Sequence, residues 1–376
     1  MILSHLIIKI KYDIILKGRK GALKMKILIV PDSFKGSLTS AQVCECIKNG
    51  IMATCDAEIV CLPFSDGGEG FGQCLSNMCN GNTLYTYCSD IYGNRKKVTI
   101  YTYKNTAIIE AAQASGLQKK KDVMNASSYG TGEAIIFAVS KGFRHIILGL
   151  GGSGCCDGGA GALTALGAIF KDIDGEEIPF PRGKDIENIY GASFRNIVKD
   201  IHFTYACDVD NPFYGKNGAA YVFAPQKGAD KNDVLHLDNG LKMLNAFLPV
   251  DVSQLKGAGA AGGICAGLYS VYGGEIKSGF DILSDACSLE EKIAESDIII
   301  TGEGKTDRQT LMGKLPFKIS QLCNKFGKKC YIISGSIEDV TLGDKMISVV
   351  DENTTLEESL QSPEKTLTDK AKLLLQ

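Results

Sequence analysis

The sequence predicts an α/β protein with one domain built from both chain ends and a second domain inserted between them. Three observations predict this. Near both ends, apolar strand-like runs alternate with helix-like spacing, as in "KILIVPDS" (26–33) and "SDIIITGEG" (296–304). The middle changes texture: "TLYTYCSDIYGNRKKVTIYTYKNTAIIEAA" alternates and turns at Gly93-Asn94, as a hairpin would. Strand-like runs also end repeatedly in turns of glycine and acid. The expected boundaries are 25–69 plus 284–376 for the discontinuous domain and 70–283 for the inserted one. Residues 1–24 are read as an extension outside the fold, because "MKILIVPDS" from Met25 opens the first strand.

Each element follows in order. The strand at 26–33 precedes "LTSAQVCECIKNGIMAT" (38–54), a helix with Thr39 or Ser40 as N-cap. "AEIVCLPFSDGGEG" (57–70) is a second strand running into a glycine turn, and the hairpin comes next. "SSYGTGEAIIFAVSKGF" (127–143) reads as a helix and "RHIILGL" (144–150) as a strand. The glycine-rich "GLGGSGCCDGGAGALTALG" (149–167) leads into another helix. "HFTYACDVDNPFYG" (202–215) is a strand ending in acids, and "KGAGAAGGICAGLYSVYGG" (256–274) a small-residue loop and helix. The end returns to α/β rhythm: a strand at 296–304, a helix from about 313, then "KKCYIISGS" and "KMISVVDE". The last dozen residues are polar and read as helical or frayed.

The 376 residues suffice for two cores, and a net charge of −2 points to neither nucleic acid nor an acidic membrane surface. No apolar run approaches the roughly 20 residues that span a bilayer. Fourteen cysteines without CxxC pairs or Cys/His metal spacing read as reduced thiols of a cytoplasmic protein. The four histidines lie outside the glycine motifs, which argues against a histidine base or a His-ligated zinc.

Five turns share one design: "PDSFKGS" (31–37), "SDGGEG" (65–70), "GGSGCCDGG" (151–159), "CDVDNPFYGKNG" (207–218) and "TGEGKTDRQTLMGK" (301–314). Glycine lets backbone N–H groups approach a phosphate. A carboxylate there makes sense beside Mg²⁺ or as a proton acceptor, and lysine neutralises a transferring phosphoryl group. Together they fit Mg-nucleotide chemistry. Single residues keep plainer readings. Asp66 and Asp157 also suit helix N-caps, Asp208 a turn cap, and Lys35, Lys227 and Lys305 a solvated face. Cys155 and Cys156 read as small space-fillers. "GLGGSG" (149–154) and "GAGAAG" (257–262) match the dinucleotide fingerprint, which keeps an NAD-dependent oxidoreductase open, but glycine-rich chains make such matches by chance. A nucleotide- or sugar-phosphate-binding regulatory module would need the glycines and not the acids. "TGEGKT" is no P-loop, because Ile299 stands where the first glycine belongs.

In this order, "VPDSFKGSL", "FSDGGEGF", "GLGGSGCCDGGAGALTALG", "ACDVDNPFYGKNGA", "FAPQKGA", "KGAGAAGGICAGL" and "ITGEGKTDRQTLMGKLP" closely resemble the motifs of the glycerate kinase type-1 family, from Met25 to about residue 335. The resemblance implies ATP-dependent phosphorylation of D-glycerate to 2- or 3-phosphoglycerate. It also implies two α/β domains, one flavodoxin-like and one Rossmann- or restriction-enzyme-like and discontinuous, with the active site in the cleft between them. On that reading Lys35, Asp66, Asp157, Asp208, Lys305 and Asp307 are catalytic. Asp66, Asp157 and Asp208 are candidate Mg²⁺ ligands. Ser33, Gly67, Gly68, Gly151, Gly152, Ser153, Asn211, Lys227, Gly302 and Gly304 bind substrate or nucleotide. Gly154-Cys155-Cys156 stand where the family has Ala-Thr-Asn, which puts the fit of that loop to substrate or nucleotide in question. Lys305 replaces an arginine, Arg308 a glycine and Met312 a histidine.

Overall fold

The computed structural model describes residues 24–65 and 70–376. Asp66, Gly67, Gly68 and all of the N-terminal extension except Lys24 lie outside the described residues. The chain adopts the expected α/β class, in two compact units: the described part of Met1–Pro63 with Glu290–Gln376, and Phe64–Leu289. It enters the first unit with β1 (Met25–Pro31) and β2 (Ala57–Cys61). The second unit holds β3 (Asn82–Ser89), β4 (Arg95–Tyr103), β5 (Thr106–Glu110), β6 (His145–Gly149), β7 (Ile169–Lys171), β8 (Gly191–Ser193), β9 (His202–Ala206) and β10 (Glu275–Lys277). The chain then returns to the first unit with β11 (Ile298–Gly302), β12 (Lys305–Thr306), β13 (Lys329–Ser334), β14 (Ser336–Ile337) and β15 (Lys345–Ser348). No described helix is long and apolar enough to cross a membrane.

The first unit is built on a parallel five-stranded sheet in the order β15-β13-β11-β1-β2. A parallel sheet is covered on both faces, so its inner strands need apolar residues at every position. Residues 27–30 of β1 meet this need, each at most 1% exposed. β2 lies on one side of β1, and β11, the next strand of this sheet, lies on the other. The order therefore reverses at β1, and open α/β sheets take ligands beyond the carboxyl ends of the strands at such a point. The helix Ser40–Met52 starts at Thr39 with a capping box: Gln42 N–H donates to Thr39 Oγ1 at 3.3 Å, and Thr39 N–H donates back to Gln42 Oε1 at 3.0 Å. Its buried Val43, Ile47 and Ile51 recur every four residues and face the core. The polar C-terminus does not fray: Pro363–Ala371 is a helix packed on Ser40–Met52, with Leu367 1% exposed.

The second unit carries a six-stranded sheet, β10-β9-β6-β5-β4-β3. β5, β6, β9 and β10 are parallel, while β3 and β4 form the antiparallel hairpin expected from the alternation. Its turn is held by Asp90, whose Oδ1 accepts from Tyr92 N–H at 2.8 Å and Asn94 N–H at 2.9 Å. This unit extends beyond the 70–283 read from texture, for a packing reason. Phe64 packs against Phe280 with ring centroids 5.5 Å apart and tilted by 50°, and the helix Gly279–Cys287 packs on the helix Phe71–Met78.

Candidate functional site

In the first unit, the loops after β1 and β11 meet at the reversal of strand order. Pro31 pairs with Gly302, so the residues that follow, Asp32 and Glu303, leave the sheet level with each other. Asp32 N–H donates to Gly302 O at 2.9 Å, and Ser33 N–H donates to Asp32 Oδ1 at 2.7 Å. A tight turn follows, with Phe34 and Leu38 exchanging backbone bonds of 2.8 and 3.0 Å. That turn places Lys35 at its exposed tip. A Cβ on Gly304 would lie 3.5 Å from Lys35 N, so the Lys35 and Gly304 loops are neighbours. Gly302 is demanded by the sheet itself, since a Cβ there would fall 1.8 Å from Ile333 O. Lys305 is half-exposed and pairs with Glu338 at 2.9 Å, with Asp307 at 4.0 Å. Asp307 is partly buried and accepts from Gln309 N–H at 2.8 Å.

This corner also holds residues that motif reading passed over. Asp32 and Glu303 are 8% and 7% exposed, and Glu303 Oε2 lies 3.4 Å from Lys314 Nζ. Both acids sit inside recognised motifs. The available signal was their position one residue past two strands that prove to be adjacent.

In the second unit, the loop after β6 answers to internal packing. Gly151 and Gly152 are exposed, but residues 153–160 are buried. Lys227 is 3% exposed, and its Nζ donates to Ser153 Oγ at 2.9 Å and Cys155 O at 2.7 Å. It is therefore a buried brace for this loop, neither a solvated lysine nor one open to a phosphate, and the expected ligand role is corrected. Asp157 is corrected likewise. It is 0% exposed, and its carboxylate accepts from Ser128 N–H and Ser128 Oγ at 2.7 Å each, Gly161 N–H at 3.1 Å and Gly159 N–H at 3.3 Å. Burial raises its pKa against the pull of these donors. The carboxylate ties the start of the helix Ala160–Ala165 to Ser128, which precedes the helix Tyr129–Ser140. A carboxylate so saturated does not fit a metal ligand or proton acceptor, so the expected Asp66–Asp157–Asp208 metal set does not stand as read. Among the described residues, no group of three or more His, Cys, Asp or Glu is placed to hold a metal ion.

The glycines of this loop have the same origin. A Cβ on Gly161 would lie 2.3 Å from Ser127 Oγ, and one on Gly262 would lie 2.1 Å from Cys155 O. "GLGGSG" is also not a dinucleotide turn, because the helix opens at Ala160, well past Gly154. Cys155 and Cys156 are fully buried. Burial pushes the Cys156 thiol up to about 12 and raises Cys155 too, so neither is a nucleophile. The Gly154-Cys155-Cys156 departure thus falls inside the loop's packing, away from any exposed face.

Beyond β9, Asp208 is exposed, and its Oδ2 accepts from Gly279 N–H at 3.4 Å. Asn211 shapes the next turn, donating from Nδ2 to Asn217 O at 2.8 Å.

A family model described as the glycerate kinase family matches residues 27–376. The chain belongs to the glycerate kinase family. The likeness covers the last forty residues as well, where motif resemblance fades. The chain is similar to the Glycerate 2-kinase of Escherichia coli (strain K12), 39% identical over 328 residues, 84% of this chain and 86% of that one. It is similar to the Glycerate kinase of Bacillus cereus (strain ATCC 10987 / NRS 248), 38% identical over 374 residues, 93% of this chain and 96% of that one. A solved structure described under the name glycerate kinase 2, from Salmonella typhimurium LT2, superposes with a TM-score of 0.82 at 36% identity, covering 93% of this chain and 97% of that one. At the strand reversal of the first unit, Lys35 and Lys305 are exposed and Asp307 is partly buried.

Proposed function

We propose that this chain is a kinase that transfers the γ-phosphoryl group of ATP to the 2-hydroxyl of D-glycerate, giving ADP and 2-phosphoglycerate. The observation that carries the reading is the corner between β1 and β11, where Lys35, Lys305 and Asp307 gather in a family of glycerate kinases. The choice of the 2-hydroxyl follows the name of the Escherichia coli relative. Mg²⁺ enters bound to the nucleotide, as part of the substrate.

Phosphoryl transfer asks a protein mainly for positioning and for neutralisation of charge. On this reading Lys35, on its exposed turn, meets the anionic groups. One of Asp66, Asp208 and Asp307 accepts the hydroxyl proton. Asn substitution at each separates them, because Asn keeps the size and loses the base. Fourteen free thiols suit a reducing compartment, and we place the protein in the cytoplasm.

The test is ADP release with D-glycerate and Mg·ATP, with the product read by phosphorus NMR. Release that requires D-glycerate, with 2-phosphoglycerate as product, supports the reading. Binding of ATP without turnover would overturn it in favour of a regulatory module, and 3-phosphoglycerate would overturn the choice of hydroxyl. Lys35→Met should lower kcat/KM by about 10²–10³ with the melting temperature unchanged, since the side chain is exposed.

A further inference from the structure

Beneath the strand reversal of the first unit runs a polar network that the reading above leaves unused. Glu303 is its hub. Its Oε1 accepts from Thr310 Oγ1 at 2.5 Å and Thr306 Oγ1 at 3.3 Å, and Oε2 faces Lys314 Nζ at 3.4 Å. Thr306 Oγ1 is also 2.7 Å from Ser334 Oγ, and Thr306, Thr310 and Ser334 are each 0% exposed. Two threonine hydroxyls and one ammonium thus surround a carboxylate that is almost out of reach of solvent, so its polar atoms are partnered inside the fold.

Lys314 is the end of this network that reaches the surface. Its side chain is 35% exposed against 9% for Glu303. Its main chain is fixed as well, with Lys314 N–H donating to Thr310 O at 3.2 Å. An ammonium has three donors, and one direction is taken by Glu303. The others are held at a defined place beside the strand reversal. Lys305 differs: it is half-exposed and pairs with the exposed Glu338, an arrangement that fixes little. A preorganised cation is what stabilises developing charge, because it does not have to reorganise when the reaction occurs.

We propose that Lys314 is a further lysine of this corner that grips an anionic oxygen group of the substrates, either a nucleotide phosphate or the glycerate carboxylate, and that Glu303 is the residue that positions it. The proposal rests on the kinase reading above. Glu303 acts through Lys314 and touches no substrate. Lys314 touches the anion and breaks no bond.

The experiment compares Lys314→Met, Lys314→Arg, Glu303→Gln and the double variant Glu303→Gln/Lys314→Met with the wild type. Initial rates are measured with Mg·ATP and D-glycerate varied separately. Lys314→Met should lower kcat/KM by about 10²-fold, and Lys314→Arg should recover part of the loss. Glu303→Gln should cost less, roughly tenfold, and the double variant should be no worse than Lys314→Met alone, because a positioning residue has nothing left to position. A rise in KM confined to ATP identifies the phosphate as the anion, and one confined to D-glycerate identifies the carboxylate. Wild-type kinetics in Lys314→Met would overturn the proposal. Losses that multiply in the double variant would overturn the role of Glu303. Calorimetric binding of Mg·ATP and of D-glycerate to wild type and Lys314→Met needs no turnover. An unchanged affinity for both ligands would sink the proposal, whereas a wild type that binds but fails to release ADP sinks only the kinase reading. Lys314→Met, at a partly exposed position, keeps the test open if Glu303→Gln does not fold.

Discussion

Asp157 is fully buried, and its carboxylate faces four donors. Asn in its place would turn an NH₂ toward at least one of those donors. We expect Asp157→Asn to cost about 1–3 kcal/mol of stability, read by urea unfolding, where a catalytic role would have left stability alone and removed turnover. The pH dependence has a sign. The folded-state pKa lies above the ordinary 3.8 because of burial, so the folded chain holds this proton more tightly than the unfolded one. Its contribution to stability therefore rises as pH falls through the folded pKa and is complete only below the unfolded value of 3.8. The stability advantage of wild type over Asp157→Asn should widen between pH 7 and pH 4, and a narrowing gap would contradict the assignment. The thiols give a second expectation. Cys61 is partly exposed and its pKa is lowered, chiefly by its side-chain hydrogen bonding with Cys44, while Cys155 and Cys156 are buried and raised. Iodoacetamide on the native protein should label Cys61 well before either of the other two, as mass spectrometry would show. At this scale the motif positions were legible but their directions were not. Spacing gives the register of a loop, yet whether Asp157 and Lys227 point inward depends on Ser128, Ser153 and Cys155, which arrive from elsewhere in the chain.

Among the elements, periodicity and caps were read from local signals, and these held where the interaction is local. The four-residue repeat of Val43, Ile47 and Ile51 and the Thr39 cap both lie within one helix. The C-terminal helix was harder to read because its partner is more than three hundred residues away and its own pattern is mostly polar. The contact turns on Gly50, where a Cβ would lie 2.5 Å from Thr368 O and 2.6 Å from Ala371 Cβ. Two effects compete in Gly50→Ala. Alanine is the better helix former by about 1 kcal/mol. Overpacking against a backbone oxygen costs about 1–3 kcal/mol, and the neighbour is main chain, which cannot swing aside. The clash should win, and the chain should lose stability in urea. A gain would mean that the two helices separate cheaply. Leu367→Ala, which removes a side chain buried in the same core, should cost about 2–5 kcal/mol.

For the molecule as a whole, the change of texture along the sequence puts an inserted segment at 70–283, and the second compact unit spans Phe64–Leu289. The switch in strand order was not legible, because pairing of β1 with β11 is set by packing between distant segments. That pairing has a kinetic consequence. Lys26 N–H donates to Asp297 Oδ2 at 2.8 Å and Asp297 N–H to Lys26 O at 2.9 Å, so the first sheet closes only when chain on both sides of the second unit comes together. The entropy of closing that loop must be overcome before any β1–β11 contact can offset it. In the second unit, by contrast, the sheet runs β3-β4-β5-β6-β9-β10, in the order of the chain. Such a sheet grows by adding each strand to one already placed, which favours fast folding. Its formation also draws Phe64 to within 5.5 Å of Phe280, which shortens the loop the first unit must close. We therefore expect the second unit to fold first. The chain has no tryptophan, so pulsed hydrogen exchange with mass spectrometry is the suitable probe. Amides of β6 and β9 should become protected before those of β1 and β11 during refolding from urea. Protection of β1 and β11 first, or of all four strands together, would show that the chain closes its distant pairing without waiting for the inserted unit.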